Sequence, residues 1–260
     1  MIDVAVSAAV GPEGAPLLVL GPSLGTSSIL WESVLPALAP DHRVITWELP
    51  GHGGSAPVRE PFAVADLADA LVRALTGSLG EERFDYAGVS LGGAVGLELL
   101  LRHHQHVGRA AILCSGAVIG TPQGWRERAA QVRAQSTSSL VVGSAQRWFA
   151  PGSIAQHPDL AGRLLHTLQD ADDESYALAC EALAAHDVRA RLGEIGAPVL
   201  AIWGAHDAVT PEASAREIAD GVRSGSAAGI PGASHLAPVD DPTAVTRLLS
   251  GFLTPERTST

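Results

Sequence analysis

Short apolar runs alternate with helical patterns along most of the chain, and this alternation limits the fold more than any other feature of the sequence. Each apolar run has the length of a buried strand, and the pattern after it places apolar residues at helical spacing. Such an order is typical of a mostly parallel sheet with helices on both faces. The predicted strands cover residues 2–10, 17–20, 42–47, 84–89, 109–114, 198–203 and 226–230. The predicted core helices cover residues 31–38, 62–79, 91–102, 211–222 and 242–252.

The alternation stops between residues 117 and 191, where no strand-like run stands out. Amphipathic helical patterns replace it over residues 121–135, 140–149, 158–169 and 174–185. The length of 260 residues and the 46% hydrophobic content suit one catalytic domain with a large core. We therefore expect an α/β core formed by residues 1–118 and 192–260, interrupted by a helical lid at residues 119–191.

Charge and composition argue against several classes of partner. The formal net charge of −11 disfavours binding to nucleic acid or to an anionic membrane surface. No stretch offers the roughly 20 uninterrupted apolar residues of a membrane span. Cys114 and Cys180 have no metal-type spacing, so we expect two reduced, buried thiols, no metal site and a cytoplasmic protein. Whether the chain forms a homo-oligomer stays open.

The sharpest motif is a G-x-S-x-G pattern that reads Gly88-Val89-Ser90-Leu91-Gly92. A predicted strand runs into this pattern and a predicted helix leaves it, which is the context that a nucleophile elbow requires. The serine of such an elbow sits on a strained turn, so its neighbours must lack side chains. The helix dipole also favours negative charge at this point. The motif predicts Ser90 as a nucleophile.

A serine hydroxyl needs a base to accept its proton, and this fold supplies the partners in the order serine, acid, histidine. Asp207 follows one predicted strand and His235 follows the last one, so both lie at the carboxyl edge of the sheet. We expect His235 to act as the base and Asp207 to orient it. Asp187 is a weaker alternative acid because no core strand precedes it, and His52 is expected to be structural.

Acyl transfer also needs two backbone donors for the oxyanion of the tetrahedral intermediate. The first is expected to be the amide of Leu91, directly after the nucleophile. The second is expected to come from the loop after the strand at residues 17–20, and the amide of Leu24 is the favoured donor. The side chains of Ser23 and Thr26 lie in the same loop, and either one is a further candidate for stabilising the oxyanion.

Five motifs together resemble the α/β-hydrolase superfamily, and the resemblance covers nearly the whole chain. They are GPSLGTSSILW at residues 21–31, PGHGGS at 50–55, GVSLGGA at 88–94, WGAHDAVTP at 203–211 and ASHL at 233–236. A narrower resemblance to 3-oxoadipate enol-lactone hydrolases lies in GTPQGWRER at 120–128, RWF at 147–149, HDVR at 186–189, Tyr176 and Cys180. Two departures from the family pattern are Glu48, where aspartate is expected, and Leu236–Pro238, where a polar residue often follows the histidine.

The resemblance implies an α/β-hydrolase fold with an inserted helical lid, the triad Ser90, Asp207 and His235, and no metal or organic cofactor. It also implies opening of the enol-lactone to 3-oxoadipate in the catabolism of aromatic compounds. The rival functions are those of a carboxylesterase, a carbon–carbon bond hydrolase or a perhydrolase on the same scaffold. A non-catalytic ligand receptor that keeps this fold is the rival from a different class.

The implied lactone is a small anionic molecule, so a basic group is expected near the lid. Four arginines are candidates, although each is also explained as a solvated helix face: Arg126, Arg128, Arg133 and Arg147. Trp125 and Trp148 are candidates for the walls of an apolar pocket, and lid core is the alternative for both. Ser23 is a further candidate for contact with the substrate.

Overall fold

A seven-stranded sheet forms the centre of the computed structural model, which describes residues 2–79 and 83–253. The strands are β1 (Ala5–Val6), β2 (Leu17–Gly21), β3 (Arg43–Glu48), β4 (Phe84–Val89), β5 (Val107–Leu113), β6 (Val199–Gly204) and β7 (Gly225–Ile230). Their order across the sheet is β1-β3-β2-β4-β5-β6-β7. β1 pairs antiparallel with β3, and all other neighbouring strands pair in parallel. The carboxyl ends of β2 and β4 through β7 therefore meet at one edge, where open α/β sheets carry their sites.

Helices connect the strands and cover the sheet. They are α1 (Leu35–Leu38), α2 (Val64–Leu79), α3 (Leu91–Arg102), α4 (Pro122–Gln135), α5 (Val141–Trp148), α6 (Ser153–Gln156), α7 (Pro158–Asp170), α8 (Asp173–Ala185), α9 (Glu212–Gly221), α10 (Ala237–Asp240) and α11 (Pro242–Leu253). Short 3-10 helices occur at Ser28–Trp31, Thr137–Leu140 and Arg189–Glu194. This architecture is the predicted α/β-hydrolase fold. Over the described residues, no helix is both long enough and apolar enough to cross a membrane.

The helices α4 to α8 lie between β5 and β6, in the stretch where the strand pattern stops. Helix α8 is buried along most of its length and packs against α4 through Ala129 and Val132. The two ends of the helical stretch meet, because the Val188 N–H donates to the Ala117 carbonyl at 2.9 Å. The division at residues 119 and 191 into core and lid stays a prediction.

Two predicted elements differ from the observed ones. The predicted strand at residues 2–10 is regular only at Ala5–Val6, and it resumes as an isolated bridge between Val10 and Val44. The predicted helix at 31–38 is a 3-10 turn followed by the single turn α1, since Pro36 lacks the amide hydrogen that a longer helix would need there. The one-turn helices α6 and α10 were not predicted, because so short a turn has no periodicity.

Tyr86 supports the sheet directly beneath the start of α3. Its side chain is fully buried, and its hydroxyl donates to the Gly92 carbonyl at 2.7 Å and accepts from Trp47 Nε1 at 3.3 Å. Burial raises the pKa of Tyr86, so the hydroxyl keeps its proton and remains a donor. A Cβ at Gly21 would lie 2.2 Å from the Tyr86 hydroxyl. β2 therefore has glycine at this point because the ring of Tyr86 needs the space.

Replacement of Tyr86 by Phe is expected to lower the free energy of unfolding by about 1–3 kcal/mol. The change leaves the Gly92 carbonyl and the Trp47 indole N–H buried without their partner. Urea unfolding, followed by circular dichroism, measures the difference. The control is Thr167→Val, which removes an exposed hydroxyl bonded only within its helix and should change stability by less than about 0.5 kcal/mol. Equal stability of the Tyr86 variant and wild type would contradict the prediction.

Candidate active site

Ser90 lies on the turn between β4 and α3 in a strained backbone conformation. Its φ of 55° and ψ of −117° lie in a region that residues with a Cβ rarely adopt. Hydrogen bonds hold the turn on both sides: the Ser90 N–H donates to Leu113 O at 2.9 Å, and its carbonyl accepts from Ser115 Oγ at 2.7 Å. The residue is buried apart from a small opening at 4% exposure. The predicted strand, turn and helix around Ser90 are all present.

The glycines around Ser90 allow the helix and two loops to approach the turn. A Cβ on Gly88 would lie 2.4 Å from the Gly92 carbonyl oxygen, and a Cβ on Gly92 would lie 2.5 Å from Pro22 O. Real Cβ contacts of this length do not occur, so only glycine fits at both positions. The Gly92 N–H also donates to Pro22 O at 3.0 Å, which joins the turn to the loop after β2.

Asp207 and His235 contact each other at the carboxyl edge of the sheet. Asp207 follows β6, His235 follows β7, and the distance from Asp207 Oδ2 to His235 Nδ1 is 2.9 Å. Asp207 also accepts from the Val209 and Thr210 amides at 2.8 and 3.1 Å and from Thr210 Oγ1 at 2.7 Å. Burial raises the pKa of Asp207, but His235 and these hydrogen bonds outweigh burial and hold it below its usual value. The ionised carboxylate therefore keeps the proton on His235 Nδ1 and leaves Nε2 with its lone pair.

Ser90 and His235 line one cavity of about 230 Å³ between the core loops and the helices α4, α5 and α8. The other lining residues are Ser23, Leu24, Gly120, Thr121, Gly124, Trp125, Arg128, Arg147, Trp148, Tyr176 and Val209. The cavity therefore brings together the predicted nucleophile, the predicted base and six of the residues predicted to contact the substrate or the oxyanion. Ser23, Trp125 and Trp148 are among them.

Two backbone amides beside the cavity are available to an oxyanion. In the loop after β2, the Ser23 N–H donates to Thr26 Oγ1, the Gly25 N–H to His52 Nε2 and the Thr26 N–H to Ser23 O. Among the described hydrogen bonds of this loop and of the Ser90 turn, the Leu24 and Leu91 amides have no acceptor. These are the two amides that the sequence favoured as oxyanion donors.

The four candidate arginines separate into two groups. Arg128 and Arg147 line the cavity, and neither forms an ion pair with a described carboxylate. Arg128 contacts the Tyr176 hydroxyl at 3.4 Å and lies 5.4 Å from the centre of the Trp125 ring. Burial lowers the pKa of Arg147, and the positive charge of Arg128 lowers it further. Two partly buried cations thus face one cavity.

Arg126 and Arg133 require a correction, because the structure places both outside the cavity. Arg133 forms ion pairs with Glu174 and Glu181 on α8, so its charge is neutralised at the surface. Arg126 is exposed to solvent. All three residues are arginines of α4, so it is their position around the helix that places Arg128 at the cavity and Arg126 and Arg133 outside it.

Sequence reasoning missed Thr210 as a residue of the site, and it named Tyr176 only as part of the family resemblance and not as a site residue. Thr210 bonds the carboxylate of Asp207, and its position three residues after an aspartate is a recognisable turn signal. Tyr176 lines the cavity from within a helix whose residues are nearly all buried, so no periodic pattern marked it. The two departures from the family pattern do not reach the lining: Glu48 binds Ser28 and Gly54, and Leu236 donates to Trp148 O.

Comparison with known proteins agrees with this geometry. A family model described as the alpha/beta hydrolase fold matches residues 16–242. A 3-oxoadipate enol-lactonase of Acinetobacter baylyi is 33% identical over 243 residues, which cover 93% of this chain and 90% of that protein. The crystal structure of the enol-lactonase from Burkholderia xenovorans superposes with a TM-score of 0.92 at 30% identity, covering 97% and 96% of the two chains. A hydrolase from Pseudomonas aeruginosa gives a TM-score of 0.91 at 31% identity, covering 97% and 94%.

Replacement of Gly88 by Ala is expected to displace the turn that carries Ser90. The new methyl group must push the Gly92 carbonyl away, which should lower the free energy of unfolding by about 1–3 kcal/mol. It should also slow labelling of Ser90 by a fluorophosphonate probe. Urea unfolding and the rate of labelling, read by intact-protein mass spectrometry, measure the two effects.

The matched control is Gly162→Ala, because a Cβ at this position in α7 meets nothing within 4 Å. Alanine in the interior of a helix should stabilise the protein by about 0.5–1 kcal/mol relative to glycine and leave the labelling rate unchanged. Labelling of the Gly88 variant at the wild-type rate would show that the turn tolerates a side chain there.

Proposed function

The chain belongs to the α/β-hydrolase fold family, and on this premise we propose that it is a serine hydrolase that opens 3-oxoadipate enol-lactone to 3-oxoadipate. The observation that carries the proposal is the single cavity shared by Ser90, His235, Arg128 and Arg147. It combines the groups of an acyl-transfer site with two cations that suit a carboxylate. The similarity to enol-lactonases over more than nine-tenths of the chain supports the same substrate.

In the proposed first half-reaction, His235 Nε2 accepts the hydroxyl proton of Ser90, and Ser90 Oγ attacks the lactone carbonyl carbon. The carbonyl electron pair moves onto oxygen, where the Leu24 and Leu91 amides stabilise the developing charge. Asp207 stabilises the imidazolium that forms on His235. Collapse of the intermediate breaks the bond to the ring oxygen, which leaves as an enolate tethered to the acyl group.

The enolate is a good leaving group, so it needs little acid assistance from His235. The proton that His235 took from Ser90 is then transferred to the enolate carbon, which gives the ketone and returns His235 to its neutral form while the acyl group remains on Ser90. His235 then removes a proton from water, which attacks the ester carbonyl, and the intermediate collapses with return of the proton to Ser90 Oγ. The product carries one carboxylate more than the lactone.

The two arginines explain how an acidic protein accepts an anion. The chain carries a formal net charge of −11, which repels anions at long range. Arg128 and Arg147 lie near each other without described carboxylate partners, so their mutual repulsion is relieved when a carboxylate binds near both. Charge-assisted hydrogen bonds to guanidinium groups also orient a carboxylate. We propose that these residues place the lactone with its carbonyl beside Ser90.

Two further assignments complete the proposal. Residues 119–191 act as the lid that forms one wall of the cavity, supported by the six lining residues that α4, α5 and α8 supply: Gly124, Trp125, Arg128, Arg147, Trp148 and Tyr176. The enzyme acts in the cytoplasm, and its reaction belongs to a pathway that degrades aromatic compounds. The free, buried thiols of Cys114 and Cys180 support a reducing compartment.

Freshly generated 3-oxoadipate enol-lactone is expected to disappear rapidly with wild type and at the uncatalysed rate with Ser90→Ala, which removes the nucleophile. Loss of lactone absorbance measures the reaction, and circular dichroism verifies that the variant is folded. Inactivity of wild type toward the lactone, together with Ser90-dependent cleavage of a nitrophenyl ester, would favour a carboxylesterase. Inactivity toward both, with Ser90 inert to a fluorophosphonate, would favour a ligand receptor.

Replacement of Arg147 by Met is expected to raise the KM for the anionic lactone about 10- to 100-fold, because a hydrogen bond to a charged group contributes about 1.5–3 kcal/mol. The kcat/KM for a neutral nitrophenyl ester should change less than threefold, since that substrate has no carboxylate. Steady-state kinetics on both substrates separates the two effects.

Arg126→Met is the matched control, because it removes the same charge from the exposed part of the lid. It should leave the KM for both substrates near the wild-type value. An equal rise of KM for the neutral ester and the lactone in the Arg147 variant would mean that the residue shapes the cavity and does not recognise charge.

A further inference from the structure

His52 is a buried polar residue that the proposed reaction does not use. It lies in the loop between β3 and α2, and its side chain is fully buried. One edge of the ring meets the loop of residues 22–26, here named the oxyanion loop, at the Gly25 N–H. The other side meets the lid helix α8, where the Tyr176 ring stacks at 6.0 Å with an interplanar angle of 25°. His52 thus lies between the oxyanion loop and the wall of the cavity.

The two hydrogen-bond partners of His52 specify one protonation state. The Pro50 carbonyl, 2.9 Å from Nδ1, can only accept, so Nδ1 carries the proton. The Gly25 N–H, 3.2 Å from Nε2, can only donate, so Nε2 presents its lone pair. Burial lowers the pKa of His52 in spite of the Pro50 hydrogen bond and the nearby charges of Glu48 and Asp172, which favour the cation. The ring is therefore neutral.

Hydrogen bonds on two successive peptide groups set the direction of the Leu24 N–H. The carbonyl of the Ser23–Leu24 peptide accepts from the Thr26 N–H at 3.0 Å and from Thr26 Oγ1 at 2.8 Å. A trans peptide is planar, so the Leu24 N–H points away from Thr26. His52 holds the next peptide through the Gly25 N–H, at a residue whose φ of +84° glycine tolerates. The oxyanion donor is thus fixed from both sides.

The loop that carries His52 is itself held against the lid. The Asp172 N–H donates to Gly51 O at 2.9 Å, and Ser175 packs so closely that a Cβ on Gly51 would lie 2.5 Å from its Cβ. Pro50 and Tyr176 complete the enclosure around the ring. His52 therefore has a fixed support behind it, and the acceptor that it offers to Gly25 has a fixed position.

We propose that His52 is a positioning residue for the oxyanion hole: its neutral ring accepts the Gly25 N–H and thereby holds the Leu24 N–H toward the carbonyl oxygen of a substrate bound to Ser90. The inference rests on the proposed function, because it requires acyl transfer at Ser90. His52 does not touch the substrate, since it is absent from the lining of the described cavity. Its effect is on the stabilisation of the transition state and not on binding of the substrate.

The test compares two substitutions at His52 with wild type in Ser90-dependent hydrolysis of a nitrophenyl ester. His52→Phe keeps an aromatic ring against Tyr176 and removes the acceptor for Gly25. His52→Gln keeps an amide oxygen near the position of Nε2. The control, His104→Gln, changes an exposed histidine. Active enzyme is counted by titration with a fluorophosphonate, and thermal unfolding records stability separately.

The Phe variant should lose about 10- to 100-fold in kcat with KM within threefold of wild type, since displacing an oxyanion donor has a smaller effect than the 100- to 1,000-fold loss on removing one. On a logarithmic scale of kcat, the Gln variant should lie at least halfway between the Phe variant and wild type. A wild-type kcat in the Phe variant, a loss confined to KM, or no recovery in the Gln variant would each overturn the proposal. Wild type without esterase activity would instead refute the proposed function, and the inference with it.

A measurement on wild type keeps the proposal testable if the Phe variant does not fold. Ring nitrogen shifts of ¹⁵N-histidine protein, with His52 assigned by its absence in the Gln variant, report the tautomer directly. The expected spectrum shows protonated Nδ1 and unprotonated Nε2 at neutral pH. A cationic ring or the opposite tautomer would leave no acceptor for Gly25 and would overturn the proposal.

Discussion

The strained turn at Ser90 is the constraint on which the rest of the structure depends. A positive φ at a residue with a Cβ costs on the order of 1–3 kcal/mol, so surrounding contacts must hold it. Leu113 and Ser115 bond its backbone, and Tyr86 bonds the helix start from beneath. The need for space around the turn fixes glycine at position 88. The same turn places Ser90 at the lining of the cavity.

Hydrogen bonds join the loops around the cavity to the helices that lie between β5 and β6. On one side, the Leu236 N–H next to His235 donates to the carbonyl of Trp148 at 2.9 Å. On the other side, the Asp172 N–H donates to Gly51 O, beside the histidine that supports the oxyanion loop. The wall that contacts a ligand is thus tied to the groups that react with it. A substitution in the wall of the cavity is therefore expected to alter the positions of the reacting atoms.

The sequence predicted the parts of the site that local patterns encode. A predicted strand, a turn of small residues and a predicted helix surround Ser90. Asp207 and His235 each follow a predicted strand, so a parallel sheet alone predicts that both lie at its carboxyl edge. The division among lid arginines could not be predicted. Arg126 and Arg133 are seven residues apart and share a face of α4, while Arg128 lies on the opposite face. The acidic side chains of α8 that bind Arg133 lie 41 and 48 positions away in the chain, so no local pattern shows which arginine they meet.

In the proposed function, the pairing of charges across residues 119–191 decides which ligand binds more than the net charge does. On the outer face of α4, Glu174 and Glu181 neutralise Arg133, and solvent screens what remains. Facing the cavity, Arg128 of α4 and Arg147 of α5 are partly buried, and the charge of Arg128 lowers the pKa of Arg147. A carboxylate between them removes this repulsion, so binding energy is released at a point remote from the carbonyl carbon that reacts. In the proposed reaction, such remote energy holds the lactone against Ser90, which is how recognition of a charge would contribute to catalysis.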